Sequence, residues 1–433
     1  MFNLEQRRLA AARTLAAEIA RHLQGDLSLE LWSGEVLPLG PNARDDVRIV
    51  VRSPNAVRRL LLRPKLMTIF ELYAEAELDM VGASPIEGSR RYDHFRSLEV
   101  AKRIDRKLAF KCALPFLFGA KERKRIGAWR KSVDPHFSRG RDDKELIQFH
   151  YDVSNEFYGL FLDPEMVYSC AYFTSPQMSL EAAQIAKLDR ICKKLRLKPG
   201  DELLDIGCGW GGLICHAAQH YGARCHGVTL SQKQFDFAAA KIARLGLGDR
   251  IKLELRDYRS VETPEAYDSI AQIEMFEHIG LDNHDKHFEH IKKLLRPHGL
   301  YLHQASTRWA TKDLAQFRKP TRYQKVISRY IFPGGECDYI GLTATNLERH
   351  GFEVRDVEAM REHFQLTLQH WVARLYAQRE KARAEIGEAR TRLWILYLSL
   401  CARSFERCTI GVFQTLASRR RIGPSGLPLA RGD

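Results

Sequence analysis

The apolar pair Leu203-Leu204 runs into Asp205-Ile206-Gly207-Cys208-Gly209-Trp210-Gly211-Gly212, and a helical pattern begins directly behind it. Glycines at a strand-to-helix turn let backbone amides approach a ligand closely, and the N-terminus of the following helix favours negative groups. The same rhythm continues along the chain: ARCHGVTL and a helix, IKLELRD, AYDSIAQIEM, a helix to Leu295, then GLYLHQAS. This alternation predicts an α/β fold, a doubly wound Rossmann-like parallel sheet with helices on both faces. The stretch from Trp371 to Leu416 reads as largely helical, and a helical lid is expected.

Residues 1–118 form a first unit, expected to be a smaller α+β domain. An amphipathic helix over Leu4–Leu23 precedes two alternating segments, LSLELWSG and DVRIVVRS, that read as strands. A helical stretch from Asn55 to Ala76, a turn-rich region at Gly82–Gly88 and a second helix from Arg96 to about Leu114 follow. Residues 119–147 read as a charged linker, 148–416 as the catalytic region and 417–433 as a basic tail.

No apolar run approaches the roughly 20 residues that a membrane-spanning helix needs; the longest candidates are Ala113–Gly119 and Trp394–Cys401. The N-terminus carries Arg and Glu inside its apolar pattern, which is not a signal peptide and predicts a cytoplasmic protein. Nine cysteines at irregular spacing form neither a disulfide framework nor a zinc pattern. Cys208, Cys215 and Cys225 are close in sequence but read as buried thiols, and no metal is expected. The net charge of +14 is concentrated in Lys121–Arg125, Arg130, Lys131 and Arg419–Arg421. Such clusters seek phosphate, on nucleic acid or on anionic lipid.

Asp205, just ahead of the first glycine, matches the first motif of class I methyltransferases that use S-adenosylmethionine (SAM). A nicotinamide site would show a third glycine at the helix packing position and an acid at the end of the next strand. That strand instead ends Val228-Thr229-Leu230-Ser231.

Further motifs surround this loop. The segment His150-Tyr151-Asp152-Val153-Ser154-Asn155-Glu156-Phe157-Tyr158, then LFLDP and Tyr168-Ser169-Cys170-Ala171-Tyr172-Phe173, closely resembles the start of the catalytic domain of cyclopropane fatty acid synthases. AQIAKLDRICKKLRLKPG, GVTLSQKQ, RDYR, EMFEHIG, LYLHQ and YIFPGG follow in the family's order, so the resemblance spans about residues 148–416. The first unit resembles, more weakly, the lipid-engaging domain of the bacterial phospholipid enzymes, which the mycolic acid relatives lack.

The resemblance implies that Tyr168 and Ser169 meet the carboxylate end of SAM. Asp205, Gly207, Cys208, Gly209, Trp210 and Gly211 would cradle its methionine part. Thr229, Leu230, Ser231 and Gln234 would hold the ribose, with Asp257 and Tyr258 bordering the adenine. It implies methylene transfer to the cis double bond of an unsaturated phospholipid acyl chain at an anionic membrane surface, and a homodimer. An isolated alkene is a weak nucleophile, so the reaction needs a dry, well-aligned site and support for a carbocation. Tyr172, Phe173 and Phe276 are the candidate aromatic faces.

In the family the base that closes the ring is a bound bicarbonate. The resemblance assigns its cage to Cys170, Glu277 and His303, with Glu277 accepting the anion's hydroxyl proton and His303 donating to its oxygens. The family's fourth cage residue is a tyrosine, and here the segment Glu362–Leu368 places Phe364 there, with His363 or Gln365 as substitute donors. Glu274 stands where many relatives carry glycine. Cys401 matches a C-terminal family cysteine, and packing is expected of it before catalysis.

Phe364 and Glu274 keep open a methylation of the same alkene without ring closure. Basic charge alone suggests a nucleic-acid methyltransferase, but no Asn/Asp-Pro-Pro-aromatic motif is present. The intact SAM loop argues against a non-catalytic lipid-binding protein.

Overall fold

The computed structural model of the protein describes residues 4–92, 100, 103–117 and 153–429. The expected linker, the basic residues Lys121–Arg125, Arg130 and Lys131, and His150–Asp152 of the opening motif lie outside the described residues. The chain forms two compact units that are not simply consecutive. One takes Met1–Asp134, Thr321–Ile331 and Val372–Leu400; the other takes Pro135–Pro320, Phe332–Trp371 and Cys401–Asp433.

The first unit opens with the helix Leu4–Leu23. Its sheet comprises β1 (Ser28–Glu30), β2 (Val36–Pro38), β3 (Arg48–Val51) and β4 (Leu78–Val81), in the order β2-β1-β3-β4. The expected helix over 55–76 is two helices, Pro54–Leu62 and Leu66–Ala74. Pro64 divides them, because a proline disfavours helical geometry in the residue before it. Ser53 caps the first, accepting a bond from the Ala56 N–H. Gly82 has φ +87°, and a Cβ there would fall 1.8 Å from the Asp46 carbonyl oxygen, so only glycine fits. Ala11, Ala12, Leu15, Leu31, Cys112 and Phe116 form one of this unit's apolar clusters.

The second unit holds seven strands: β5 (Glu202–Ile206), β6 (Arg224–Thr229), β7 (Ile251–Leu255), β8 (Tyr267–Ile273), β9 (Leu295–Arg308), β10 (Phe352–Ala359) and β11 (Ile410–Arg419). Their order is β10-β11-β9-β8-β5-β6-β7. The pairs from β7 through β9 are parallel, while β11 is antiparallel to both β9 and β10. Successive residues feed opposite faces: Leu203 and Leu302 join one apolar cluster, Leu204 and Tyr301 the other. Cys208, Cys215 and Cys225 all lie in the first of these clusters, as small apolar residues.

β11 corrects two expectations. Residues 410–416 are strand, not helix, and Ala417–Arg419 belong to the sheet, not to a tail. A central strand covered on both faces reads as a near-continuous apolar run, which periodicity cannot separate from a buried helix. In the Arg419–Arg421 cluster, Arg419 donates to the Leu295 carbonyl and to Glu265 (2.7 Å), and Arg420 donates to the Glu348 carbonyl at 3.3 Å. Two of the three guanidiniums are thus engaged by the fold itself.

Arg59 is buried in the first unit between Glu71 (2.9 Å) and Glu75. Arg59→Ala would leave two carboxylates facing each other without their cation. Urea unfolding is expected to show a loss of about 3 kcal/mol; a loss below about 1 kcal/mol would mean that solvent already screens the pair.

Candidate active site

Strand order reverses between β5 and β8, and in open α/β sheets ligands bind outside the carboxyl ends of the strands at such a point. A cavity of about 390 Å³ lies there. Gly207 and Gly209 enter it from the end of β5, Thr229 and Leu230 from β6, Asp257 and Tyr258 beyond β7, and Glu274 beyond β8. Gly207 and Cys208 donate their backbone N–H groups to the Val228 carbonyl, both at 3.0 Å, which folds the loop over β6. Gly209 has φ +54°, and a Cβ there would meet no atom of the described residues within 4 Å. Its open side is therefore free for a ligand to approach the backbone.

Of the residues assigned to SAM, Tyr168, Ser169, Asp205, Cys208, Trp210 and Gln234 line the same cavity as the loop residues just named. Gly211 and Ser231 do not. Gly211 is the left-handed N-cap of the helix Gly212–His220, and Ser231 caps Gln232–Arg244 by accepting from the Gln234 N–H. Thr229 donates its hydroxyl to Gln234 at 2.8 Å. Asp257 accepts from the Arg259 guanidinium, which also lines the cavity. Tyr168 stacks on Trp371 with ring centroids 5.0 Å apart.

Lys187 was not singled out by the sequence, although it lies within the AQIAKLDR motif. It is buried and lines the cavity, and its ammonium donates to the Ser169 hydroxyl at 2.9 Å. Burial pushes that ammonium's pKa down, while Glu274, Asp163 and Asp205 hold it up. Burial pushes the Asp205 carboxyl up to about 7, with Lys187 opposing. Glu274 is likewise pushed up to about 7, by burial and then by the charge of Glu277. A lysine at helical spacing in a mixed segment looks like a solvated surface residue; only the fold turns it inward.

The residues assigned to the base lie outside the cavity lining. Glu277 is buried; its Oε1 accepts from the Ser306 N–H at 2.7 Å, and its Oε2 has no partner among the described residues. His303 on β9 is buried, with Nε2 also lacking a partner among the described residues. Burial and His284 push its pKa down to about 3, so the imidazole is neutral. The Cys170 thiol points to the carbonyls of Ala171 (3.3 Å) and Met360 (3.7 Å). Glu274 has φ +53° and binds the Cys170 N–H at 2.9 Å and the Gln304 amide at 2.7 Å.

Phe364 packs its ring on Phe405 and Trp371, at 4.7 and 6.1 Å. His363 accepts from the Phe173 N–H at 3.0 Å and stacks on Tyr172 at 4.7 Å, so it is committed to this packing. Tyr172 already carries the Arg190 guanidinium 4.4 Å from its ring centroid, and Phe276 is enclosed by His284 and His303. Phe173 stacks on His370. Cys401 sits partly exposed on the helix Glu388–Glu406 and does not line the cavity.

The family profile for mycolic acid cyclopropane synthetase matches residues 138–415. The chain belongs to this family. A probable fatty acid methyltransferase of Pseudomonas putida is 34% identical over 408 residues, covering 94% of this chain and 95% of that protein. The structure of the cyclopropane synthase MmaA2 from Mycobacterium tuberculosis superposes with a TM-score of 0.61 at 32% identity, over 65% of this chain and all of that one. Mycolic acid cyclopropane synthase CmaA1, complexed with SAH and CTAB, gives 0.60 at 33% identity, over 65% and 100%. The protein is a SAM-dependent methyltransferase of the cyclopropane synthase family, with the class I methyltransferase fold.

Lys187→Met would remove the cation that balances Asp163, Asp205 and Glu274. The folded pKa values of Asp205 and Glu274, both about 7, stand above their ordinary values of 3.8 and 4.5. The unfolded chain therefore holds fewer protons across that window, and stability falls as pH rises through it. The substitution raises both carboxyls further, so its cost is expected to be larger at pH 8, about 3 kcal/mol, than at pH 6. Equal losses at the two pH values in urea unfolding would contradict this account.

Proposed function

We propose that the enzyme adds a methylene unit from SAM to the cis double bond of an unsaturated phospholipid acyl chain, forming a cyclopropane. The alkene's π pair displaces S-adenosylhomocysteine from the methyl carbon, which leaves a carbocation on the acyl chain. A base then takes one proton from the added methyl, and the freed C–H pair closes the ring. The glycine-lined cavity at the switch point carries this reading, with its open approach at Gly209 and the buried residues Glu277 and His303 on the neighbouring elements.

Two buried polar atoms without partners among the described residues, Glu277 Oε2 and His303 Nε2, suit a small hydroxyl-bearing anion. Bicarbonate held by these residues and Cys170 would supply the base. The side chains themselves exclude water and orient it. A neutral imidazole and a carboxyl whose pKa is raised by burial avoid setting a full negative charge against the anion.

Two observations favour a second reading, methylation without ring closure. Glu274 brings another acidic group to the cavity wall and ties it to the Cys170 backbone, while Phe364 offers no hydroxyl. Incubation with SAM, bicarbonate and vesicles of a monounsaturated anionic phospholipid separates the two by proton NMR of the released fatty acids. Upfield ring protons are expected. A methylated alkene without them would establish the second reading, and no turnover on lipid would sink both. Phe364→Tyr is expected to raise the rate of ring closure by about tenfold, the value of one hydrogen bond to a charged group.

The helix Arg106–Leu117 supports the membrane part of the proposal. Cys112 and Phe116 are buried, while Phe110 (66% exposed), Leu114 (40%) and Leu117 (43%) stand in solvent. Arg103, Arg106, Lys107 and Lys111 are exposed in the same stretch, with Asp105 its one acidic residue. An apolar stripe among cations matches an anionic bilayer surface. Among the described residues no helix is long and apolar enough to cross a membrane. Phe110→Ser combined with Leu114→Ser is expected to weaken sedimentation with anionic vesicles by tenfold or more (roughly 1.4 kcal/mol). Unchanged sedimentation would remove this helix from the membrane-binding surface.

A further inference from the structure

Gln272 on β8 and Tyr301 and His303 on β9 are buried together with His287 of the helix His284–Leu294. The Tyr301 hydroxyl donates to Gln272 Oε1 in a short bond. His287 Nε2 lies 3.1 Å from Gln272 Oε1 and 3.2 Å from the Tyr301 oxygen. His303 Nδ1 lies 3.3 Å from each of the same two oxygens. Since the Tyr301 proton points at Gln272, both oxygens present only lone pairs to the two imidazoles. A bare ring nitrogen at either position would face lone pairs and bond to neither, so each of these nitrogens carries a hydrogen.

Burial keeps both rings neutral, so each has one N–H to place. With that hydrogen on Nε2, the other nitrogen of His287 is an acceptor, and the Tyr258 hydroxyl lies 3.0 Å from it. With the hydrogen on Nδ1, His303 leaves Nε2 as a bare, buried lone pair. The chain of contacts runs from Tyr258 on the cavity wall through His287 and the Gln272–Tyr301 pair to His303.

We propose that Gln272, Tyr301 and His287 are positioning residues that hold His303 as its Nδ1–H tautomer, so that its Nε2 accepts a hydrogen bond from an O–H donor. This rests on the assignment of His303 to the base site made above, and it reverses the role expected from the resemblance, in which His303 donates. The matching occupant is an anion with one hydroxyl, which gives its hydrogen to Nε2 and leaves its charged oxygens for other donors. The ring's orientation is set by what the opposite nitrogen touches.

Long-range proton–nitrogen NMR on the full-length protein with labelled histidine reads the tautomer directly, without substrate. The His303 signals are identified by their loss in His303→Asn. In the unaltered protein Nδ1 is expected at the protonated position and Nε2 at the unprotonated one. Gln272→Leu frees the Tyr301 hydroxyl to donate to His303 Nδ1, and the hydrogen is expected to move to Nε2. Gln272→Glu restores an acceptor oxygen and keeps Nδ1–H, which also serves should the leucine variant not fold. An Nε2–H tautomer in the unaltered protein overturns the proposal, as does a Gln272→Leu variant that folds and keeps Nδ1–H. A protein with the Nδ1–H tautomer that makes no ring product would keep this inference and reject the function above.

Discussion

The buried Lys187 ammonium holds together the parts that the cavity depends on. It donates to Ser169 and balances Asp163, Asp205 and Glu274, which lie ahead of the sheet, on β5 and just beyond β8. Three acids around one lysine in an apolar interior can ionise only to the extent that the cation is there to meet them. Burial, joined at Glu274 by the charge of Glu277, lifts the pKa of Asp205 and Glu274 to about 7 although the cation opposes it. A cationic sulfonium ligand would enter a site whose walls can adjust their charge by releasing a proton.

Glu274 shows how such a site is kept in shape. A non-glycine residue in the left-handed region costs about 1–2 kcal/mol, and this one also sets a partly buried carboxyl in the cavity wall. Its bonds to the Cys170 N–H and the Gln304 amide offset that cost. Gln304 is in turn held by Gln414 at 2.9 Å, which carries the support across β9 to β11. The strand that the sequence disguised as helix is therefore the one that steadies the wall of the site.

Much of the site was legible because its signals are local. A glycine loop needs closely spaced glycines after a strand, so Gly207 and Gly209 could be named from the chain alone, and the strand-and-helix rhythm followed from period. Gly211 and Ser231, by contrast, cap the starts of helices, because capping and ligand contact select the same small residues at the same places. Tyr172 and His363 read as candidates for cation support and anion binding, yet they stack on each other under Arg190. Which partner claims an aromatic face depends on elements far apart in sequence.

Short-range spacing and order in the chain were enough for the fold class, the glycine loop behind β5 and the family. Tertiary structure decided what those spacings could not hold: that Lys187 is buried, that residues 410–419 join the sheet, and which nitrogen of His303 faces Gln272 and Tyr301. Burial, strand pairing and tautomer are properties of neighbours. The neighbours here, Asp205 and Glu274 for Lys187, β9 and β10 for β11, Gln272 and Tyr301 for His303, are brought together only when the chain folds.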